Sequence, residues 1–202
     1  MIAIIDYGAG NIRSIEKALE HVGAQVQVTD DLHVVARADA IVLPGVGSGG
    51  SAMARMTARG LDEAIREATF QGKPFLGICL GMQLLADHHE EGEVDGLRLF
   101  RGTVRRIPHG PKIPHMGWNQ VQALTSALPI FVDVPSDAYF YFAHSYYVEP
   151  QDQAGVAAVT DYGSLYCSVI VTDQVWGTQF HPEKSGDVGM QVLKNFVKWV
   201  NT

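Results

Sequence analysis

The stretch that decides the fold is Pro74-Phe75-Leu76-Gly77-Ile78-Cys79-Leu80-Gly81. Its first five residues read as a short buried strand. They run straight into Cys79, and a helix is expected from about Leu80 to His88. Glycines on both sides of a polar residue at a strand-to-helix junction allow a sharp turn and close approach of neighbouring elements. The pattern G-x-C-x-G therefore has the form of a nucleophile elbow with cysteine in place of serine. A helix N-terminus behind the thiol would favour thiolate. Taken alone, the pentapeptide fits a buried, inert cysteine in a tight turn equally well.

Outward from this junction the first half repeats strand and helix. Ile2 to Ile5, Gln25 to Thr29 and Ala40 to Leu43 read as strands. After the first, Gly8-Ala9-Gly10 forms a turn, Asn11 is placed to cap a helix, and Ile12, Ile15, Leu19 and Val22 recur at helical spacing. A second helix is expected from about Ser51 to Gln71. Such units imply a parallel sheet with helices on both faces. From about Leu97 to Thr178 the strands shorten and helical periodicity fades, which suggests antiparallel strands extending the sheet. A last helix starts near Gly186, with Val192, Leu193, Phe196, Val197 and Val200 on one face. No linker, repeat or low-complexity tract divides residues 1–202, so a single α/β domain is expected.

Composition narrows the classes. The chain has 202 residues, 22 acids against 15 bases, and 47% apolar residues. That apolar share excludes a disordered chain. No apolar run approaches the roughly 20 residues of a membrane-spanning helix. A net charge of −7 without a basic patch disfavours nucleic acid. Two cysteines, Cys79 and Cys167, are too few for a disulfide framework and suggest a reducing compartment. The N-terminus lacks the basic region of a signal peptide, so a cytoplasmic location is expected. Tyr166-Cys167-Ser168-Val169 reads as a core strand.

Two further segments add chemistry. In Gln179-Phe180-His181-Pro182-Glu183, the proline biases His181 toward extended geometry. In an extended chain, residues two apart point the same way. Glu183 would then orient His181 toward a nucleophile, the base and orienter of a triad. With the elbow, this gives a Cys79–His181–Glu183 triad for acyl transfer at the strand ends of an α/β sheet. Pro44-Gly45-Val46-Gly47-Ser48-Gly49-Gly50 follows another strand. It lacks the Gly-Lys-Ser/Thr of a P-loop, and beside a nucleophile its N–H groups suit an oxyanion hole. Gln83, one turn beyond Cys79, is placed to hold a polar substrate. Gly8-Ala9-Gly10 fails as a dinucleotide fingerprint because Arg13 replaces the third glycine. His88-His89-Glu90-Glu91 reads as a solvated helix end rather than a metal site. Neither a metal nor a cofactor is expected.

These motifs resemble the class I, triad-type glutamine amidotransferases. Pro44-Gly45-Val46-Gly47, Gly77 to Leu85 and Gln179 to Ser185 carry the class. Asp6-Tyr7-Gly8 with Gly10-Asn11, Lys112-Ile113-Pro114-His115-Met116-Gly117-Trp118-Asn119 and His144-Ser145-Tyr146 are similar to the branch that serves imidazole glycerol phosphate synthases. The resemblance implies a flavodoxin-like fold and hydrolysis of L-glutamine to glutamate and ammonia. It implies Cys79 as nucleophile, His181 as base, Glu183 as orienter, and Gly45, Val46 and Gly47 as the oxyanion hole. Gln83, His144, Ser145 and Tyr146 would seat glutamine. Ammonia would pass to a (β/α)8-barrel cyclase subunit in a heterodimer, with Asn11, Trp118 and Lys184 at the interface. Gly49 departs from the aromatic residue more frequent there, which implies a more mobile loop. The rival readings are an amidotransferase subunit for another acceptor, a stand-alone cysteine hydrolase, and a non-catalytic subunit that kept the fold.

Overall fold

The computed structural model describes residues 1–8, 11–108, 112–124 and 128–202. Ala9 and Gly10 of the expected first turn lie outside the described residues. Four strands form the parallel half: β1 (Ile2–Ile5), β2 (Val26–Thr29), β3 (Ala40–Gly45) and β4 (Phe75–Cys79). The second half supplies β5 (His88–His89), β6 (Val94–Asp95), β7 (Gly102–Arg106), β8 (His115–Gln120), β9 (Gln122–Ala123) and β10 (Tyr139–His144). It continues with β11 (Tyr146–Pro150), β12 (Val156–Asp161), β13 (Leu165–Val171) and β14 (Val175–Thr178). The sheet runs β2-β1-β3-β4-β14-β13-β11-β7-β5-β6, with β12 on β13 and β9 on β12. It is parallel from β2 to β14 and mostly antiparallel beyond. β8 and β10 form a separate antiparallel ribbon.

β1, β3 and β4 are buried along their whole length because helices cover both faces of the sheet there, whereas the edge strand β2 alternates. Side chains alternate. Ile2, Ile4, Ala40 and Val42 pack with Ile15, Leu19, Val192 and Phe196 on one side. Ile5, Ile41 and Leu43 pack with Val35, Met53, Met56 and Ile65 on the other. The first layer belongs to α1 (Ile12–His21) and α6 (Gly186–Val200). The second belongs to α2 (Leu32–Arg37), α3 (Gly49–Thr57) and α4 (Leu61–Phe70).

Several local expectations are corrected. The Ser51–Gln71 helix is two helices, α3 and α4, divided at Gly60, whose φ of 69° places it in the left-handed region. α2 was missed, although Asp31 caps it by accepting the His33 N–H at 2.8 Å. The helix expected over Leu80–His88 is the single turn α5 (Leu80–Gln83). The carbonyls of Leu84, Leu85 and Ala86 instead accept N–H groups from Leu97 to Phe100, so non-local pairing ends the helix. Asn11 sits at the start of α1 without capping it by its side chain.

Candidate active site

Cys79 stands at the carboxyl end of β4 with φ 53° and ψ −108°, a conformation that side chains rarely adopt. The turn holds only because its neighbours are glycines. A Cβ on Gly81 would fall 1.8 Å from the Leu43 carbonyl oxygen, and one on Gly77 would fall 2.6 Å from that of Gly81. Cys79 is 5% exposed. The Gln179 amide approaches its Sγ at 3.7 Å and the Ala143 carbonyl lies 3.9 Å away. Since α5 is one turn long, its dipole is a weaker source of thiolate stabilisation than the sequence suggested.

His181 is buried, and its Nδ1 lies 2.9 Å from Glu183 Oε1. The route to that contact differs from the expected extended chain. His181 itself is extended at φ −96° and ψ 98°, but Pro182–Lys184 form a turn of 3₁₀ helix. The turn still presents Glu183 to the imidazole. The Glu183 side chain is fully buried, and Asn11 Nδ2 donates to the same Oε1 at 2.7 Å. Asn11 thus holds the carboxylate that contacts His181, a contact the sequence reading missed.

Burial alone would pull the His181 pKa down, but hydrogen bonds and charge from Cys79 and Glu183 raise it to about 9. A histidine raised from 6.5 stabilises the fold fully below about pH 6.5 and loses that contribution as pH rises through about 9. We expect Glu183→Gln to move this falling edge to lower pH, measured by urea unfolding between pH 6 and 9. Coincident pH profiles for variant and parent would show that Glu183 does not act on the imidazole.

A cavity of about 230 Å³ opens beside Cys79, lined in part by Val46, Gly47, Gln83, Glu91, Met116 and Ala143. His144, Ser145 and Tyr146 complete that wall. Gly45 aligns with Cys79 across the sheet, and a Cβ there would come within 2.8 Å of Leu80 Cβ. The backbone of Val46 and Gly47 then runs along the cavity, with Gly47 at φ 99°. Gln83 lines the cavity, but its amide is engaged by the Tyr146 carbonyl (2.8 Å), Gln179 (3.1 Å) and His89 (3.3 Å). It acts on the wall more than as a free donor. His144 is buried against Tyr166 and His115, and burial lowers its pKa to about 3, so the ring is neutral.

Glu91 was overlooked, because His88 to Glu91 read as a solvated helix end. In the structure His89 is fully buried and its ring occupies the space beside Gly49, where a Cβ would meet it at 2.5 Å. Glu91 Oε2 accepts the Gly49 N–H at 3.0 Å, and the residue lines the cavity. Gly49 is therefore buried in the first turn of α3, not part of a mobile loop. Among the described residues no cluster of histidine, cysteine and acidic groups is arranged to hold a metal ion.

The exposed face of the ribbon continues the cavity outward. Met116 and Trp118 are 65% and 55% exposed. Trp118 lies edge-on to Tyr141, and Lys184 Nζ sits 5.9 Å from the Tyr141 ring centre. Trp118 is thus a surface residue rather than a core one. Cys167, by contrast, is buried in β13, and burial raises its thiol to about 12.

The family model for class I glutamine amidotransferase matches residues 3–199. The chain is 50% identical over 201 residues to "Imidazole glycerol phosphate synthase subunit HisH" of Acinetobacter baylyi, covering 98% of both chains. It is 51% identical over 199 residues to the protein of the same name from Methanothermobacter thermautotrophicus, again with 98% of each covered. Among solved structures, a glutamine amidotransferase superposes with a TM-score of 0.77 at 16% identity over the full length of both chains. PurLQS of Thermotoga maritima superposes with a TM-score of 0.76 at 19% identity, covering 98% of this chain and 97% of the other.

Proposed function

The chain belongs to the class I glutamine amidotransferases, and from that premise we propose that it is the glutaminase subunit of an imidazole glycerol phosphate synthase. The observation that carries the reading is the buried His181–Glu183 contact of 2.9 Å beside a cysteine held in a strained turn at the sheet's carboxyl end. The curated relatives at 50–51% identity support the particular synthase.

In this reading Cys79 Sγ attacks the side-chain amide carbon of L-glutamine. The N–H groups of the Gly45–Gly47 segment face the oxyanion, where each donor contributes on the order of 3 kcal/mol to the transition state. The His181 imidazolium gives its proton to the leaving nitrogen and ammonia departs. A glutamyl thioester remains on Cys79. His181, now neutral, takes a proton from water, which attacks the thioester and releases glutamate. Glu183 fixes the imidazole through Nδ1, leaving Nε2 for the reacting groups. His144, Ser145, Tyr146 and Gln83 shape the glutamine seat, and the Glu91 carboxylate suits the substrate's α-ammonium group. The chemistry needs no cofactor.

Ammonia in neutral water is mostly ammonium and unreactive as a nucleophile. Delivery without release favours a docked acceptor enzyme, the (β/α)8-barrel cyclase subunit, in a heterodimer. The cyclase makes imidazole glycerol phosphate and AICAR in histidine biosynthesis. Exposed Met116 and Trp118, with the half-buried Tyr141 and with Lys184 beside it, support this docking surface; Asn11 hydrogen-bonds Glu183, the residue before Lys184. Trp118→Ala should weaken the complex by about 2 kcal/mol, or roughly 30-fold in Kd. An unchanged Kd in a titration would remove Trp118 from the interface. Residues 1–202 act as one domain in this account, and the cytoplasm is its natural location.

An electrophilic glutamine analogue, a chloroketone in place of the amide, tests the nucleophile. Mass spectrometry should find it on Cys79 and not on Cys167. Label on Cys167, or on neither, contradicts the assignment.

A further inference from the structure

Tyr7 is 2% exposed and its hydroxyl has no hydrogen-bond partner, an arrangement folding normally avoids. It lies beneath the 45–47 segment. A Cβ built on Gly45 would come within 2.7 Å of the Tyr7 oxygen. Tyr7 also lines a second cavity of about 210 Å³, together with Gly8, Val46, Gly47, Ser48 and Arg55. Val46 and Gly47 border this cavity and the catalytic one alike. They are the wall between the two.

A planar trans peptide points its N–H and C=O in opposite directions. When a peptide of this wall turns its N–H toward the thiol, its carbonyl turns toward the second cavity. A carbonyl there needs a donor. Among the described residues, the unpartnered buried hydroxyl bordering that cavity is Tyr7. Burial, reinforced by the negative charge of Cys79 and only opposed by Arg55, raises the phenol pKa, so the hydroxyl keeps its proton at every working pH. Gly47, at φ 99° and with open space where a side chain would stand, leaves the segment free to turn.

We propose that Tyr7 is a positioning residue for the oxyanion hole: its hydroxyl donates to the carbonyl of the 45–47 segment and so holds the opposing N–H toward the reacting carbonyl. This rests on the glutaminase reading of the Cys79 site. Tyr7 acts through the backbone and does not touch substrate. Its contribution appears where negative charge develops, in the tetrahedral state, and not in ground-state binding.

The test is Tyr7→Phe in the complex with the cyclase subunit. One neutral hydrogen bond predicts a kcat lower by roughly tenfold with KM for glutamine unchanged. Inhibition by the γ-aldehyde analogue of glutamine, whose thiol adduct places an oxyanion in the hole, should weaken by the same factor. The denaturation midpoint should not fall, because the lost hydroxyl had no partner in the resting fold. A wild-type kcat, an undiminished aldehyde affinity, or a lowered midpoint with unchanged aldehyde affinity each overturns the proposal. If the unsubstituted complex releases no glutamate, the glutaminase reading fails and takes this role with it. If it does and Tyr7→Phe matches it, only the Tyr7 role falls.

Discussion

Cys79→Ser should release glutamate at a rate lower by roughly 10³-fold or more, while binding the cyclase subunit as tightly as the parent. The two expectations come from different parts of the structure. Sulfur is the group aimed into the cavity, with the Gln179 amide at 3.7 Å and His181 close enough for its charge to raise the imidazole. A serine hydroxyl is a far weaker nucleophile than a thiol and gives up its proton far less readily, so attack at the same position is slow. The proposed docking face, by contrast, is the Met116, Trp118 and Tyr141 face of the β8–β10 ribbon, and the substitution leaves that ribbon alone. Serine fits the strained turn as well as cysteine does, so the variant should fold. Coupled glutamate assay and partner titration together check both halves. Normal turnover would remove Cys79 from the mechanism.

The second large effect is structural. Gly81→Ala should leave no stable fold, a loss on the order of 4 kcal/mol or more. The added carbon would sit 1.8 Å from the Leu43 carbonyl oxygen. That oxygen belongs to β3, a strand flanked by β1 and β4 in the middle of the parallel half. Neither the strand nor the elbow has anywhere to go. Gly77 tightens the same spot from the other side. Soluble yield and chemical denaturation read the result, with Cys79→Ser as the control in the same turn. A Gly81→Ala protein with the parent's denaturation midpoint would show that the backbone approach is looser than the structure has it.

Most of the parallel half was legible because β1, β3 and β4 are runs of mostly apolar residues, β2 alternates, and the longer helices carry a 3.6-residue period. The local geometry of the candidate site was legible where spacing is tight: the turn at G-x-C-x-G, and the contact of His181 with Glu183 two residues on. Three of the misses share a cause. The Leu80–His88 run has helical composition, yet the carbonyls of Leu84 to Ala86 are claimed by Leu97 to Phe100, far along the chain. The same excursion buries His89 against Gly49 and brings Glu91 to the cavity, and no local pattern in His88 to Glu91 signals either. Asn11 has the residue type of a helix cap, but its amide is drawn to Glu183, 172 positions away. Non-local partners decided these three cases, and a window of sequence does not contain them; the unread α2 and the break at Gly60 rested on local signals, the Asp31 cap and a glycine of positive φ.

Glutamate release from L-glutamine, measured on the purified chain alone and with the cyclase barrel subunit carrying its nucleotide substrate, tests the central claim most directly. The account predicts slow release alone and strong activation in the loaded complex, abolished by Cys79→Ser. Rapid release that the barrel leaves unchanged would contradict it, leaving a stand-alone cysteine hydrolase.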